Sequence, residues 1–440
     1  MADTVKISDN PTRPFTLVSY MHLDKYPMRM LASRLAFVCV FSLAVCRAVS
    51  AQEPPLTLDV PDERGQYSLG TLTFTPSTLA LVGHDTNMMR AVGAPASGEV
   101  FDVAQVEAWW KPGRYRLSGV AAFEYERELR DSRTGTYNNA QELNFYALTG
   151  RIRPSFVFTR HNHFAPPTDF SGFELGLKSR RIETQSEGRL STLVGARTRL
   201  VGFGRLAGIT YDADARYQGV SLQDNLNRQG RAVGASLEHS ISRQTVVFES
   251  VEVGQEHYAR TPLRNGRESF VGIGVRSQAS ALLSGGAFIG RRVYSSKTSE
   301  LDNFKGLNWN ANIVLTRPRY LVLLDARRDN YASYSAGLGQ YVSTGGSLYA
   351  SGHISTRIDV YGTTSRYGLS YSAAAAAVVS RYTANGAGLV YRFSRALVGA
   401  TSEFYAQRGS GALQGQRFTT YVQIGGGRIR RLDRPLPGER

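Results

Sequence analysis

From about residue 70 the chain repeats one unit: a segment of roughly ten residues alternating apolar and polar positions, then a connection, with short connections alternating with long ones. Tyr115 to Arg127 shows the pattern. One parity reads Tyr115, Leu117, Gly119, Ala121, Phe123, Tyr125; the other reads Arg116, Ser118, Val120, Ala122, Glu124, Glu126. Successive side chains on a strand point to opposite faces, so this segment has one greasy face and one wet face. A long run of such strands behind an export signal predicts an all-β, antiparallel, up-and-down transmembrane β-barrel.

The export signal is carried by the early chain. Met28, Arg29 and Arg34 form a positive start, Leu35 to Val45 an apolar core, and Val49-Ser50-Ala51 a small-residue cleavage region before Gln52. That core is much shorter than the roughly 20 residues of a membrane-spanning helix. The expected organisation is an upstream extension at 1–27, with Met28 or Met30 as the true start, a signal peptide at 28–51, a periplasmic segment at 52–70, the barrel at 71–427 and a basic periplasmic tail at 428–440. Both cysteines, Cys39 and Cys46, sit inside the signal, so the mature chain is expected to lack disulfides and to be held by hydrogen bonds and packing, as a closed barrel is. Val45 before Cys46 is too bulky for a typical lipoprotein box.

No later apolar run approaches the length of a membrane-spanning helix, and mean hydropathy is −0.26, as expected when every second strand residue faces a lumen. Residues 52–440 carry 46 Lys and Arg against 33 Asp and Glu, a net charge of +13. Only Lys111, Lys178, Lys297 and Lys305 are lysines. Arginine is planar and donates in pairs, which suits carboxylates and phosphates. Export and the lack of zinc, helix-turn-helix or RNA-binding motifs argue against nucleic acid. The expected partners are outer-membrane lipids and lipopolysaccharide phosphates, the barrel assembly machinery and polysaccharide export proteins, with arginine–carboxylate pairing across the lumen as the structural alternative.

About 18 strands are predicted, at 72–83, 103–110, 115–127, 141–152, 155–162, 182–194, 199–211, 232–241, 245–257, 268–277, 284–293, 307–315, 319–328, 342–353, 357–367, 381–393, 396–407 and 416–426. The pair at 155–194 has the weakest pattern, leaving 16 as the alternative. Leu307, Trp309, Ala311 and Ile313 oppose Asn308, Asn310 and Asn312 with particular clarity. Tyr115, Tyr125, Tyr320, Tyr391 and Phe393 fall near strand ends, as interfacial girdles do. Short connections are read at Lys111-Pro112-Gly113, Arg153-Pro154, Ser242-Arg243-Gln244, Arg317-Pro318, Ser355-Thr356 and Ser394-Arg395. Long ones fall near 84–102, 128–140, 212–231, 258–267, 294–306, 329–341 and 368–380. Short turns face the periplasm in barrels of this class. With the first and last connections read as long, both termini are periplasmic and the strand number is even. A soluble propeller would show a signature repeating every 40 to 50 residues or so, and none is present.

Several stretches are similar to bacterial outer-membrane barrels of the porin type, often encoded with exopolysaccharide synthesis and export genes. Phe74-Thr75-Pro76-Ser77-Thr78-Leu79-Ala80-Leu81 with His84-Asp85-Thr86-Asn87 resembles that family's first strand. Tyr217-Gln218-Gly219-Val220-Ser221-Leu222 with Asn225-Leu226-Asn227-Arg228 resembles one of its loops. Ser280-Ala281-Leu282-Leu283-Ser284-Gly285, Phe304-Lys305-Gly306-Leu307 and Arg328-Asp329-Asn330-Tyr331 with Tyr334 resemble its later half. The order of these motifs over residues 70 to 410 carries the likeness. Such barrels commonly end on an aromatic residue, whereas here Phe418 to Ile424 is followed by Gly425-Gly426-Gly427 and a basic tail to Arg440. Either that tail hangs free or Tyr421 and Ile424 are read internally.

Parity predicts ten charged residues lining the lumen: Arg116, Glu124, Glu126, Glu142, Glu238, Asp325, Arg327, Asp329, Arg392 and Glu403. Rings of charge set selectivity in an aqueous channel; an ion-pair ladder stiffening the wall is the alternative. No catalytic, cofactor or metal site is expected. His161 and His163 share a strand face, but with only Asp169 nearby they fall short of three or four ligands. No Gly-x-Ser-x-Gly elbow stands out. Gly204, Gly208 and Gly272-Ile273-Gly274 lie inside strands and read as bends or close packing. Ala373 to Ala377 offers a short loop helix that could fold inward. The expected function is a porin-like channel for polar solutes or glycan, linked by the resemblance to exopolysaccharide export. The alternatives are a non-transporting structural or adhesive barrel and, less favoured, a lipid-modifying hydrolase.

Overall fold

The computed structural model describes residues 66–87, 96–129, 135–165, 179–217, 219–280, 282–298, 303–333, 339–371, 379–394, 396–409 and 413–425. The signal at 28–51, the extension before it, both cysteines, most of the 52–70 segment, Asp169, Ala373 to Ala377 and the 428–440 tail lie outside these residues.

Eighteen strands make the wall: β1 Leu72–Asp85, β2 Ser97–Trp110, β3 Tyr115–Glu128, β4 Gly135–Ala147, β5 Ile152–Ala165, β6 Ser179–Leu193, β7 Thr198–Tyr211, β8 Arg228–Ser240, β9 Thr245–Tyr258, β10 Gly266–Ser280, β11 Leu283–Ser296, β12 Phe304–Arg317, β13 Tyr320–Ala332, β14 Gln340–His353, β15 Ile358–Tyr371, β16 Val379–Arg392, β17 Ala396–Arg408 and β18 Leu413–Gly425. Each pairs antiparallel with its neighbours in sequence, and β18 closes onto β1 from Ser77↔Gly425 to Asp85↔Arg417. The result is a closed up-and-down barrel with no free edge, the form in which strands can cross lipid with every backbone group paired.

Expectation and structure differ in detail. The weak pair is present as β5 and β6, joined from Ile152↔Thr192 to Ala165↔Ser179, so the count is 18 and the 16-strand alternative falls. The expected turn at Arg153-Pro154 is strand instead. The chain reverses at 148–151, with Gly150 at φ 51°. Pro154 is tolerated because the β4–β5 ladder ends at Tyr146↔Ser155, so its missing N–H interrupts nothing on that side. The strands also run longer than expected, 13 to 15 residues. The last connection, 409–412, is short, and the even count follows from closure. A three-residue strand, Tyr67–Leu69, folds back on the start of β1.

Outward positions are apolar and exposed through the middle of the wall: Leu206 is 61% exposed and Val233 59%, in company with Val106, Phe123, Ile289, Leu307 and Phe404. Each such side chain left in water would forgo roughly 1.5–3 kcal/mol of burial. A continuous belt of them fits hydrocarbon. Among the described residues no helix is long and apolar enough to span a membrane. Near the short-turn end Trp110, Tyr115 and Tyr320 face outward, with Tyr115 stacked on Phe145.

The inward face interleaves rings with glycine. A Cβ at Gly290 would meet Phe270 Cζ at 2.3 Å, and one at Gly399 would meet Tyr421 Cζ at 2.3 Å. Gly272 and Gly274 are covered likewise by Phe270 and Phe248, whereas Gly204, on the outward face, meets nothing nearer than Ala232 O at 4.0 Å. Tyr421 therefore points inward, while Ile424 faces out.

Candidate functional site

Ladder register puts Arg116, Glu124 and Glu126 on β3, Glu142 on β4, Glu238 on β8, Asp325, Arg327 and Asp329 on β13, Arg392 on β16 and Glu403 on β17 on the same face of the wall as the buried Asn308 and Tyr421, opposite the exposed apolar belt. They belong to two layers with different surroundings.

In the outer half, toward the long connections, inward charges are packed away. Glu124 and Glu126 are buried, and Asn138 Nδ2 donates to Glu124 Oε1 at 2.7 Å. Arg292 on β11 lies between Glu268 on β10, 2.6 Å from Nε, and Asp329 on β13, 3.3 Å from Nη1. Asn308 also donates to Asp329. Arg228 pairs with Glu256 at 2.9 Å, Arg417 with Glu99, and Arg181 with Glu183, which also faces His163 Nε2 at 3.4 Å. Buried charges persist only when paired, and Arg292, Arg228, Arg417 and Arg181 each pair with a carboxylate here.

Toward the short turns the inward charges keep contact with solvent. Arg276 donates to Glu238 Oε1 at 2.7 Å and keeps 39% of its side chain exposed. Arg327 lies 3.6 Å from Asp325, at 32% and 30% exposure. Arg392 and His353 both engage Asp359. In mid-wall, by contrast, Arg205 is 15% exposed and bridges the buried Glu187 at 2.8 Å and Glu252 at 3.5 Å. Arg116 sits at the rim, donating to the Gly113 and Tyr115 carbonyls at 2.8 Å each.

The β13–β14 hairpin narrows the outer mouth. Both β12 and β13 extend further, yet their ladder stops at Trp309↔Arg328. Beyond that point Val342, whose register faces it outward, packs against the inward Tyr294 and Phe304, and Asn330 accepts from the inward Asn308 at 3.3 Å. These contacts require the hairpin end to lean into the lumen. Arg264, in the 3₁₀ turn Pro262–Arg264, holds it there by donating Nη1 to Ser333 O at 2.6 Å and to Asn225 O at 3.2 Å. Asn225 belongs to α1, Leu222–Leu226, a helical turn capped by Ser221 Oγ accepting from Asp224 N, with Leu222 and Leu226 buried on Ile209 and Tyr211.

Arg260 Nη1 donates to Asp224 Oδ1 at 2.8 Å, bracing α1 against the β9–β10 connection. That bond, with a smaller contribution from Ser221, holds the exposed Asp224 carboxyl below its ordinary range. A lowered folded-state pKa means the brace is complete above the unfolded value and is lost as pH falls through the folded one. Protection factors over Leu222–Leu226, with the intrinsic pH dependence of amide exchange divided out, should therefore stay flat from neutrality down to about pH 4 and fall only below it. A loss of protection already near pH 6 would contradict the brace.

Sequence reasoning missed Arg292, Glu268, Glu99, Arg417 and Arg205. On β11 the inward Phe288, Gly290 and Tyr294 face away from Ala287, Ile289 and Val293, so the greasy–wet contrast that selects a lumen face disappears. His161 and His163 face inward with rings 6.1 Å apart. Among the described residues no three His, Cys, Asp or Glu side chains gather as a metal site.

The fold and its lumen define a transmembrane β-barrel with a charged, constricted interior. No family model and no curated protein matches the chain. Solved structures it is similar to include Pseudomonas aeruginosa OccK2 (OpdF), at 12% identity and TM-score 0.45 over 80% of this chain and 98% of that one. The outer membrane protein OpdK of Pseudomonas aeruginosa, crystallised with vanillate, gives 10% and 0.43 over 80% and 98%. Acinetobacter baumannii OccAB3 gives 8% and 0.45 over 81% and 100%. Likeness at this level carries no functional argument, and the function is read from the wall itself.

Proposed function

We propose that this chain is an outer-membrane channel for polar solutes, working by passive diffusion through a charged lumen with the β13–β14 hairpin as its constriction. The observation that carries the reading is the inward charge that keeps solvent contact inside a closed wall: Arg276, Arg327, Asp325 and Arg392. Inward ion pairs of mixed sign offer hydrogen bonds to hydroxyl-rich or charged solutes without one strong trap, and conduction requires that binding be weak enough to release. The resemblance to exopolysaccharide-linked barrels makes a polar glycan the first solute to try. The second reading, a structural barrel that does not transport, is favoured by the tightly packed outer layer around Glu124, Glu268 and Arg292.

Charge reversal in the lumen tests the channel. Asp325→Lys should shift the reversal potential under a salt gradient toward anion selectivity, and Arg327→Glu should shift it the other way. Identical potentials in wild type and both variants would remove these side chains from the conduction path.

A further inference from the structure

The outward face of the barrel carries a charge pattern that the lumen does not use. Basic side chains recur on its outer half, whereas the acidic side chains described there are Asp102 and, at the edge, Asp212, which pairs with Arg180 at 3.7 Å. Two clusters stand out. Arg381 on β16 lies directly opposite Arg408 on β17, and Arg366 on β15, opposite Thr383, is their diagonal neighbour. On the other side, Arg291 on β11 is opposite Leu307, Lys305 on β12 is its diagonal neighbour, and Arg328 on β13 follows opposite Trp309. Five of these six are exposed; Arg328 is half-buried, its Nε donating to Leu307 O at 3.2 Å. No described acidic residue shares the outward face of β11–β13 or β15–β17.

Like charges directly opposite one another destabilise a sheet, so the Arg381–Arg408 pair calls for a counter-charge from outside the protein. Its position says what kind. On the same strands the outward residues nearer the middle are Ile289, Ile313, Leu389 and Phe404, all exposed and apolar. The basic clusters thus sit between the hydrocarbon-facing belt and the long connections, at headgroup depth in one leaflet. Guanidinium groups bind phosphate oxygens in pairs. We propose that the two clusters bind the phosphates of a diphosphorylated glycolipid in the outer leaflet. This rests on the transmembrane reading of the barrel and is independent of conduction.

The test uses the refolded chain in zwitterionic nanodiscs, titrated with diphosphorylated lipid A and with its dephosphorylated form, and read by native mass spectrometry. Wild type should retain the diphosphorylated form about tenfold or more over the other. The triple variants R366Q/R381Q/R408Q and R291Q/K305Q/R328Q should each lose most of that preference while keeping heat-modifiable mobility and unchanged conductance. Should a glutamine variant fail to fold, the arginine-to-lysine version should fold and retain the preference. Equal retention of the two lipids by wild type, an undiminished preference in both glutamine variants, or equal retention of phosphatidylglycerol would overturn the proposal.

Discussion

Replacing Arg292 with Met is expected to lower the unfolding free energy of the barrel by about 3–5 kcal/mol. The reason is what remains behind. Arg292 is buried, and so are the two carboxylates it lies between, Glu268 on β10 and Asp329 on β13. Asn308 still donates to Asp329, but Glu268 loses its cation outright. Removing one partner of a buried ion pair leaves the other charge uncompensated, which costs far more than the intact pair contributes. The triple variant Arg292→Met, Glu268→Gln, Asp329→Asn should therefore recover most of the loss, because neutral side chains leave no charge stranded. Denaturant unfolding in detergent, read by the heat-modifiable band, measures both. A single variant as stable as wild type, or a triple variant no better than the single, would contradict this view of the outer layer.

Arg264→Ala is expected to open the mouth. Its guanidinium is buried and donates to Ser333 O and Asn225 O, tying the inward-leaning hairpin to α1 and the β9–β10 connection. A hydrogen bond to a charged group contributes about 1.5–3 kcal/mol. Its loss should shift the balance between tucked and released hairpin by roughly tenfold to a hundredfold. Single-channel records should show larger or longer-lived open steps in the variant. The Tyr294 hydroxyl donates to the backbone carbonyl of residue 264, not to its side chain, so that anchor survives the substitution. Conductance and dwell times equal to wild type would show that the hairpin does not limit flow.

Much of this architecture was legible because a membrane wall writes its two environments into alternate positions. On β12, Leu307 and Ile313 face out and Asn308 and Asn310 face in, as the pattern demands. On β6 the signal was weak because outward Thr184, Ser186 and Gly188 are hardly greasier than what they oppose. The ion pairs could not be read at all: Arg205 reaches Glu252 across β8 and Arg292 reaches Asp329 across β12, so each depends on the register of three successive strands. The lean of the β13–β14 hairpin left no trace in periodicity either, since it breaks pairing with β12 without changing which residues alternate.

Conductance of the refolded chain in a planar lipid bilayer tests the central claim most directly. Stable discrete steps are expected, altered by Asp325→Lys and Arg327→Glu and reduced by a polar glycan that enters the lumen. A folded, heat-modifiable barrel that inserts into the bilayer and passes no current would contradict it and leave a structural wall sealed by its outer layer.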